Sequence, residues 1–143
     1  MVAEIVAMPL YRVTTGIEFC YGHRLLGHGG KCRYLHGHNG FLEFDMETKD
    51  LDELGMVVDF GKLHKKVKDW VDENIDHRMI LAEGDPAIPN LMELGEPIYV
   101  LDDNPTAENL AKHIHTMLGA QGLALTEIRL WETAVHRAAY RSE

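Results

Sequence analysis

The sequence has few cysteines, no cluster of positive charge and no long apolar run. Two cysteines in 143 residues cannot form the disulfide framework of a small secreted domain, so we expect a reducing, cytoplasmic location. The net charge of −9 argues against a nucleic acid or an anionic membrane as partner. The apolar runs are far shorter than a membrane span, and residues 1–10 lack the basic start of a signal peptide.

The length and the hydrophobic pattern predict one domain, residues 1–143. Residues 11–23 alternate between apolar and polar side chains, and the alternation resumes at His36 after a glycine-containing loop. Such alternation is typical of half-buried strands, and we expect the two strands to pair antiparallel. Asp59 is positioned to cap a helix over residues 60–74, where Leu63, Val67, Trp70 and Val71 form an apolar stripe.

The second half predicts another helix and the last strands. Residues 82–101, rich in glycine and proline, are predicted to be an irregular insertion with a short strand at 98–101. Asn104-Pro105 predicts the start of a second helix, with Met117 among its buried residues and its end at Gly119 or Gly122. Strands over 125–132 and 135–140 complete the order ββααββ. This order predicts the α+β class, with helices on one face of an antiparallel sheet.

Three histidines are candidate ligands of one metal ion. His36 and His38 are two residues apart on a predicted strand and so share a face, and His23 ends the preceding strand in phase with its apolar face. Three neutral histidines with an open fourth position are the ligand set of a catalytic Zn²⁺ site. Two alternatives stay open: the histidines could be ordinary polar loop residues, or His28 could replace His23 as the third ligand.

Cys32 lies four residues before His36, between Lys31 and Arg33. The two cationic neighbours favour the thiolate form, which could take a proton from a bound substrate. The alternatives are a small structural cysteine and a fourth zinc ligand. A site of three histidines and one cysteine would be closed, and the protein would then be a zinc-stabilised binding module.

Acidic side chains at three further places are candidates for proton transfer or binding. Asp76 precedes His77, and a carboxylate beside an imidazole can orient it as an acid–base pair. Glu132 continues the apolar phase of a strand, where a carboxylate needs a partner. A planar N–H/NH₂ edge, as in guanidine or a pterin, could bind it in a bidentate manner. Glu108 lies in the first helical turn, where a negative charge is favourable in any case.

Five motifs, in order along the chain, resemble the 6-pyruvoyl-tetrahydropterin synthase family. The first is C-x3-H-G-H-[NS], present here from Cys32 to Asn39, and its spacing is similar to the bacterial 6-carboxy-tetrahydropterin synthase branch of the queuosine pathway. The other four are Val57-Val58-Asp59-Phe60, Asp76-His77-Arg78, Pro105-Thr106-Ala107-Glu108-Asn109 and Trp131-Glu132-Thr133. An ordered set of this kind is far more specific than any one motif.

The resemblance implies a tunnelling fold (T-fold) and a zinc-dependent lyase. That fold has a four-stranded antiparallel sheet with two helices, and its subunits form trimers that stack into a hexamer with active sites between subunits. The resemblance implies the substrate 7,8-dihydroneopterin triphosphate and the products 6-carboxy-5,6,7,8-tetrahydropterin, acetaldehyde and triphosphate. Alternatives are triphosphate elimination to 6-pyruvoyl-tetrahydropterin, and pterin binding without turnover.

The resemblance also implies a role for each site residue. It makes His23, His36 and His38 the zinc ligands, Cys32 the general base, and Asp76 with His77 a second proton-transfer unit. It makes Glu132 the anchor of the pterin ring, with Thr106 and Glu108 lining the pocket. The chain differs from the family pattern at Cys20 and Tyr21, where the family has small residues, and in its longer stretch 82–101.

Overall fold

Two long strands, β1 (Tyr11–His23) and β2 (His36–Thr48), form the centre of the structure, a computed structural model that describes residues 10–142. They pair antiparallel over their whole length, with Tyr21 opposite His38 and His23 opposite His36. Residues directly opposite each other share a face of the sheet, so this register places all three histidines on one face. Both strands begin at the predicted residues.

The remaining elements extend the sheet and cover one of its faces. They are α1 (Phe60–Asn74), β3 (Arg78–Ala82), α2 (Ala87–Glu93), β4 (Ile98–Leu101), α3 (Ala107–Ala120), β5 (Glu127–Trp131) and β6 (Arg137–Arg141), with a short 3₁₀ helix at Lys31–Arg33. Buried residues of α1 and α3 form one hydrophobic cluster with the apolar face of β1, β2 and β5. The α+β class is therefore confirmed.

The sheet is larger than the predicted four antiparallel strands. Within residues 10–142 it has six strands in the order β4-β3-β1-β2-β5-β6, and β3 runs parallel to both β1 and β4. The sequence did not indicate β3 because Ile80, Leu81 and Ala82 are all buried, so the strand lacks the alternation that identifies a half-buried strand.

The stretch 82–101 also differs from the predicted irregular insertion. It contains α2 (Ala87–Glu93) and, as predicted, the short strand β4. Pro89 and the nearby glycines led to the irregular prediction. Pro89 is the third residue of α2, in the first turn, where a backbone N–H has no partner within the helix and a proline is tolerated.

Helix α1 matches its prediction, whereas α3 begins later than predicted. Asp59 caps α1 by accepting a hydrogen bond from the Lys62 N–H, and the predicted stripe is buried. Helix α3 begins after Thr106, whose hydroxyl accepts from the Asn109 N–H at 3.1 Å, and not at Asn104-Pro105. The Asn104 side chain is used elsewhere, as described below.

The prediction that Met117 is buried is wrong. Met117 is 36% exposed, whereas Ala111 of the same helix is buried. Within residues 10–142, none of the helices combines the length and the hydrophobicity needed to cross a bilayer. The prediction that the N-terminus is not a signal peptide concerns residues 1–9, which lie outside the described part of the chain.

A buried ion pair on the other face of the sheet fixes β5 beside β2. The Asp45 carboxylate, 1% exposed, accepts two hydrogen bonds of 2.7 Å from the Arg129 guanidinium and one of 2.7 Å from the Thr14 hydroxyl. The last residue pair of the two strands is Phe41 with Trp131. Glu132 therefore leaves the sheet next to the histidine end of β2.

We expect Asp45→Asn to lower the free energy of unfolding at pH 7 by about 3 kcal/mol, because it removes the buried carboxylate that pairs with the Arg129 guanidinium, whose side chain is 11% exposed. Burial raises the pKa of Asp45, but the hydrogen bonds from Arg129 and Thr14 outweigh it and hold that pKa below its ordinary value. Because the pKa of Asp45 is lower in the folded state than in the unfolded state, its charge stabilises the folded protein above about pH 4. This stabilisation is lost as the pH falls further.

Urea unfolding at pH 7 and pH 3 measures the free energy of unfolding of wild type and Asp45→Asn. The difference between the two free energies should be smaller at pH 3 than at pH 7. Asp50→Asn, which removes the same charge at an exposed position, should leave the free energy of unfolding nearly unchanged at both pH values. An equal gap at both pH values would contradict the role of the Asp45 charge.

Candidate metal and substrate site

The three predicted histidines converge at one end of the sheet. Among residues 10–142, His23, His36 and His38 form the group whose possible ligand atoms all lie within 4.8 Å of one another. The Nε2 atoms of His23 and His38 are 3.2 Å apart. The rival ligand His28 is not part of the group, and its Nδ1 accepts a local hydrogen bond from the Gly30 N–H.

Backbone carbonyl groups orient two of the three rings. The Nδ1 of His23 lies 2.7 Å from the Pro105 carbonyl oxygen, and the Nδ1 of His36 lies 2.7 Å from the Tyr34 carbonyl oxygen. A carbonyl oxygen can only accept, so each Nδ1 carries the hydrogen and each Nε2 presents a lone pair. Partners of this kind fix the tautomer and orientation of metal-binding histidines.

Burial favours the neutral imidazole at two of the three histidines, His23 and His38. Burial lowers the pKa of His23, which is 2% exposed, and the Pro105 carbonyl and the Glu132 charge oppose this only in part. Burial also lowers the pKa of His38. Metal binding requires neutral histidines, and three convergent nitrogen ligands fit Zn²⁺. The residues present therefore suit the ion that the family resemblance implies.

Most of the other predicted site residues line one cavity with His23. This cavity has a volume of about 580 Å³, and its walls include Cys32, Thr106, Glu108 and Glu132. The Oε1 atom of Glu132 lies 3.8 Å from Nε2 of His23. A thiol, a carboxylate and the His23 imidazole therefore border the same space, although they come from distant parts of the sequence.

The loop that carries Cys32 is fastened by its backbone. The Leu25 N–H donates to the Cys32 carbonyl at 2.8 Å. The Asn104 side-chain amide binds Leu26 twice, accepting from its N–H and donating to its carbonyl, both at 2.9 Å. A buried carboxylate, Asp85, also accepts hydrogen bonds from Arg24. The Asn104 contacts hold the loop against the segment before α3, and the Asp85 contacts hold it against the segment before α2.

Asp76 and His77 do not line the cavity that Cys32 and Glu132 share. His77 Nδ1 is 2.9 Å from Asp76 Oδ2, with the His77 side chain 77% exposed and its φ at 58°, which provides the turn that this adjacent pair needs. Burial raises the pKa of Asp76, but hydrogen bonds from His77 and the Cys20 N–H hold it below its ordinary value.

The Asp76–His77 pair and Cys32 do not share a cavity within one chain. His77 lines a cavity of about 620 Å³ with Cys20 and with two of the candidate metal ligands, His36 and His38. Cys20 is three residues before His23 on β1, so its side chain points to the opposite face of the sheet from that of His23. Cys32 is not among the lining residues of this cavity, and His77 is not among those of the Cys32 cavity.

Three residues at the site were not predicted. Tyr21 lies against His23 and His38 with its hydroxyl 3.4 Å from Glu132 Oε1, and burial followed by the Glu132 charge raises its pKa. Its strand phase, shared with His23, was a signal that could have identified it. His136, just before β6, and Arg137, its first residue, also line the Cys32 cavity, but no pattern in the sequence indicates this.

Known proteins resemble this chain in sequence over most of its length. Residues 12–143 match the family model described as 6-pyruvoyl tetrahydropterin synthase. A 6-carboxy-5,6,7,8-tetrahydropterin synthase of Rickettsia bellii is 46% identical over 131 residues, covering 87% of this chain and 95% of the relative. The protein of the same name from Aquifex aeolicus is 35% identical over 126 residues, covering 79% and 77%.

Solved structures show the same fold. An uncharacterized protein of Wolinella succinogenes aligns with a TM-score of 0.82 and 27% identity, covering 94% of this chain and 99% of that one. The 6-pyruvoyl tetrahydropterin synthase of Caenorhabditis elegans aligns with a TM-score of 0.70 at 22% identity, covering 97% and 100%, which shows a shared fold. The sequence match and the arrangement of the site agree: the chain belongs to the 6-pyruvoyl tetrahydropterin synthase family.

Proposed function

We propose that this chain is a zinc-dependent 6-carboxy-5,6,7,8-tetrahydropterin synthase. It converts 7,8-dihydroneopterin triphosphate and one water molecule into 6-carboxy-5,6,7,8-tetrahydropterin, acetaldehyde and triphosphate, as a cytoplasmic step of queuosine (7-deazaguanine) biosynthesis. The observation that carries the proposal is the single cavity in which His23, Cys32 and Glu132 meet. The Rickettsia bellii relative bears the name of this activity, and the two free cysteines support a reducing location.

Several side chains around the cavity would bind the metal ion and the substrate. His23, His36 and His38 would hold Zn²⁺, which supplies Lewis-acid polarisation of substrate oxygens when bound. Glu132 is half-buried and would accept two hydrogen bonds from the N–H/NH₂ edge of the pterin. Thr106 and Glu108 line the wall beside it.

Cys32 acts in this proposal as the general base. Its 3₁₀ helix places it in the wall of the Glu132 cavity, so a pterin anchored by Glu132 would extend its side chain between the histidines and the thiol. The thiolate would take a proton from that side chain while the carbon–carbon bond breaks. Lys31 and Arg33 flank the thiol in sequence and would stabilise its negative form.

The second proton-transfer unit, Asp76 with His77, would act on a cavity of a neighbouring subunit. Within one chain the pair and Cys32 line different cavities, and the His77 imidazole is exposed, so it is free to reach a neighbour. This supports active sites formed between subunits of a trimer, with two trimers stacked into a homohexamer. Each subunit would then serve two sites.

The products formed by the zinc-loaded protein test the proposed reaction. Incubation with 7,8-dihydroneopterin triphosphate should release acetaldehyde and 6-carboxy-5,6,7,8-tetrahydropterin in equal amounts, measured by mass spectrometry after trapping of the aldehyde. Release of triphosphate with 6-pyruvoyl-tetrahydropterin and no acetaldehyde would instead show the alternative branch of the family. Tight pterin binding without turnover would show a zinc-stabilised pterin-binding protein.

Two variants and their mixture test the shared site. We expect Cys32→Ala and His77→Ala each to lower turnover by about 10²-fold or more, because each removes a proton-transfer group. Zinc content should stay at the wild-type level in both. Co-expression of the two variants should restore about a quarter of the sites, because random assembly pairs an intact Cys32 with an intact His77 from another chain.

Each variant expressed alone is the control for the mixture, since its sites cannot regain the missing group. Loss of zinc from Cys32→Ala would identify the thiol as a fourth ligand and contradict its role as base. A mixture that is no more active than the single variants would show that Asp76 and His77 do not complete the site of a neighbouring subunit.

A further inference from the structure

Tyr21 lies between the histidine group and Glu132. It is 3% exposed and lies directly opposite His38 in the register of β1 and β2. Its ring centroid is 5.3 Å from that of His23, edge to face, and 5.6 Å from that of His38. Its hydroxyl lies 3.4 Å from Oε1 of Glu132. The side chain thus contacts both the metal ligands and the carboxylate that we assign to the pterin.

The surrounding residues leave one position for this ring. Phe19 stacks on it with a centroid distance of 5.1 Å. On β2 the neighbouring residue is Gly40, and a Cβ there would lie 2.9 Å from Cε1 of Tyr21, closer than carbon atoms approach. Only a residue without a side chain therefore fits beside the Tyr21 ring, and the hydroxyl is directed at Glu132 by packing.

The contact with Glu132 gives the Tyr21 hydroxyl a role as hydrogen-bond donor, which the packing of its ring does not require. A phenol hydroxyl has one hydrogen to donate, and the Glu132 carboxylate is the acceptor within its reach. The same oxygen, Oε1, lies 3.8 Å from Nε2 of His23. Without a donor on that oxygen, the carboxylate could turn to the metal and occupy the fourth position, which an open catalytic site leaves for the substrate.

We propose that Tyr21 is a positioning residue whose hydroxyl holds the Glu132 carboxylate in the orientation that receives the N–H/NH₂ edge of a pterin. One lone pair of Oε1 accepts from Tyr21, and the other lone pairs of the carboxylate stay available for the bound ring. This inference rests on the proposed function, because it assigns to Tyr21 a part in binding that substrate. A residue that only fills the core would need the ring but not the hydroxyl.

Tyr21→Phe separates the hydroxyl from the ring, and neopterin, a stable fluorescent pterin, serves as the probe. In the zinc-loaded full chain we expect the neopterin Kd to rise about tenfold, because a hydrogen bond to a charged group is lost. Zinc content and Tm should stay at wild-type values. In a Glu132→Gln background the same substitution should have little further effect, because residues that act through one contact are not additive in a double-mutant cycle.

Tyr99→Phe is the matched control, since the Tyr99 hydroxyl also has a side-chain partner, His113 Nε2 at 2.5 Å, away from the cavity. It should leave the neopterin Kd unchanged. An unchanged Kd in Tyr21→Phe would overturn the inference alone, and so would an equal weakening in the wild-type and Glu132→Gln backgrounds. Absence of neopterin binding by the wild-type protein would overturn the proposed function as well.

Discussion

The antiparallel register of β1 and β2 is the constraint on which the rest of the site depends. It sets His23 opposite His36 and Tyr21 opposite His38, so three imidazoles and one phenol share a single face at the end of the sheet. Side chains alternate with a period of two along a strand, so a shift of β2 by one residue would turn His36 and His38 to the face opposite His23 and Tyr21. The buried side chains of both strands make such a shift costly, so the core that stabilises the fold also fixes the histidine group.

Backbone carbonyl groups of the surrounding loops fix the orientation of two rings of the histidine group. The carbonyl groups of Pro105 and Tyr34 hold the rings of His23 and His36, so the segments just before α3 and just before β2 both orient candidate metal ligands. The motif that begins at Pro105 therefore has two structural roles. The Pro105 carbonyl accepts a hydrogen bond from His23, and Thr106 caps helix α3. Sequence distance hides this dependence, because Pro105 and His23 are 82 positions apart.

The sequence alone was sufficient to place a site residue where strand phase or an ordered motif identifies it. The placement of His23, His36 and His38 on one face follows from alternation, and Glu132 was recognised as a carboxylate on an apolar face. Strand β3 was missed because a strand buried on both faces has no alternation. Tyr21 was not predicted at the site, although it shares the strand phase of His23, because an aromatic side chain on a buried face is usually part of the core. Its contact with Glu132 is a property of the tertiary structure. The separation of Asp76 from Cys32 is a property of the tertiary structure that no local pattern carries.

The central claim is that the three histidines bind one zinc ion and leave a position open, with Cys32 free to act as a base. This accounts for the convergence of the imidazole nitrogens and for the place of the thiol in the wall of the substrate cavity. X-ray absorption spectroscopy at the zinc edge of the zinc-loaded protein tests the claim most directly. The account predicts nitrogen and oxygen ligands at about 2.0–2.1 Å and no sulfur, whereas a sulfur ligand at about 2.3 Å would contradict it.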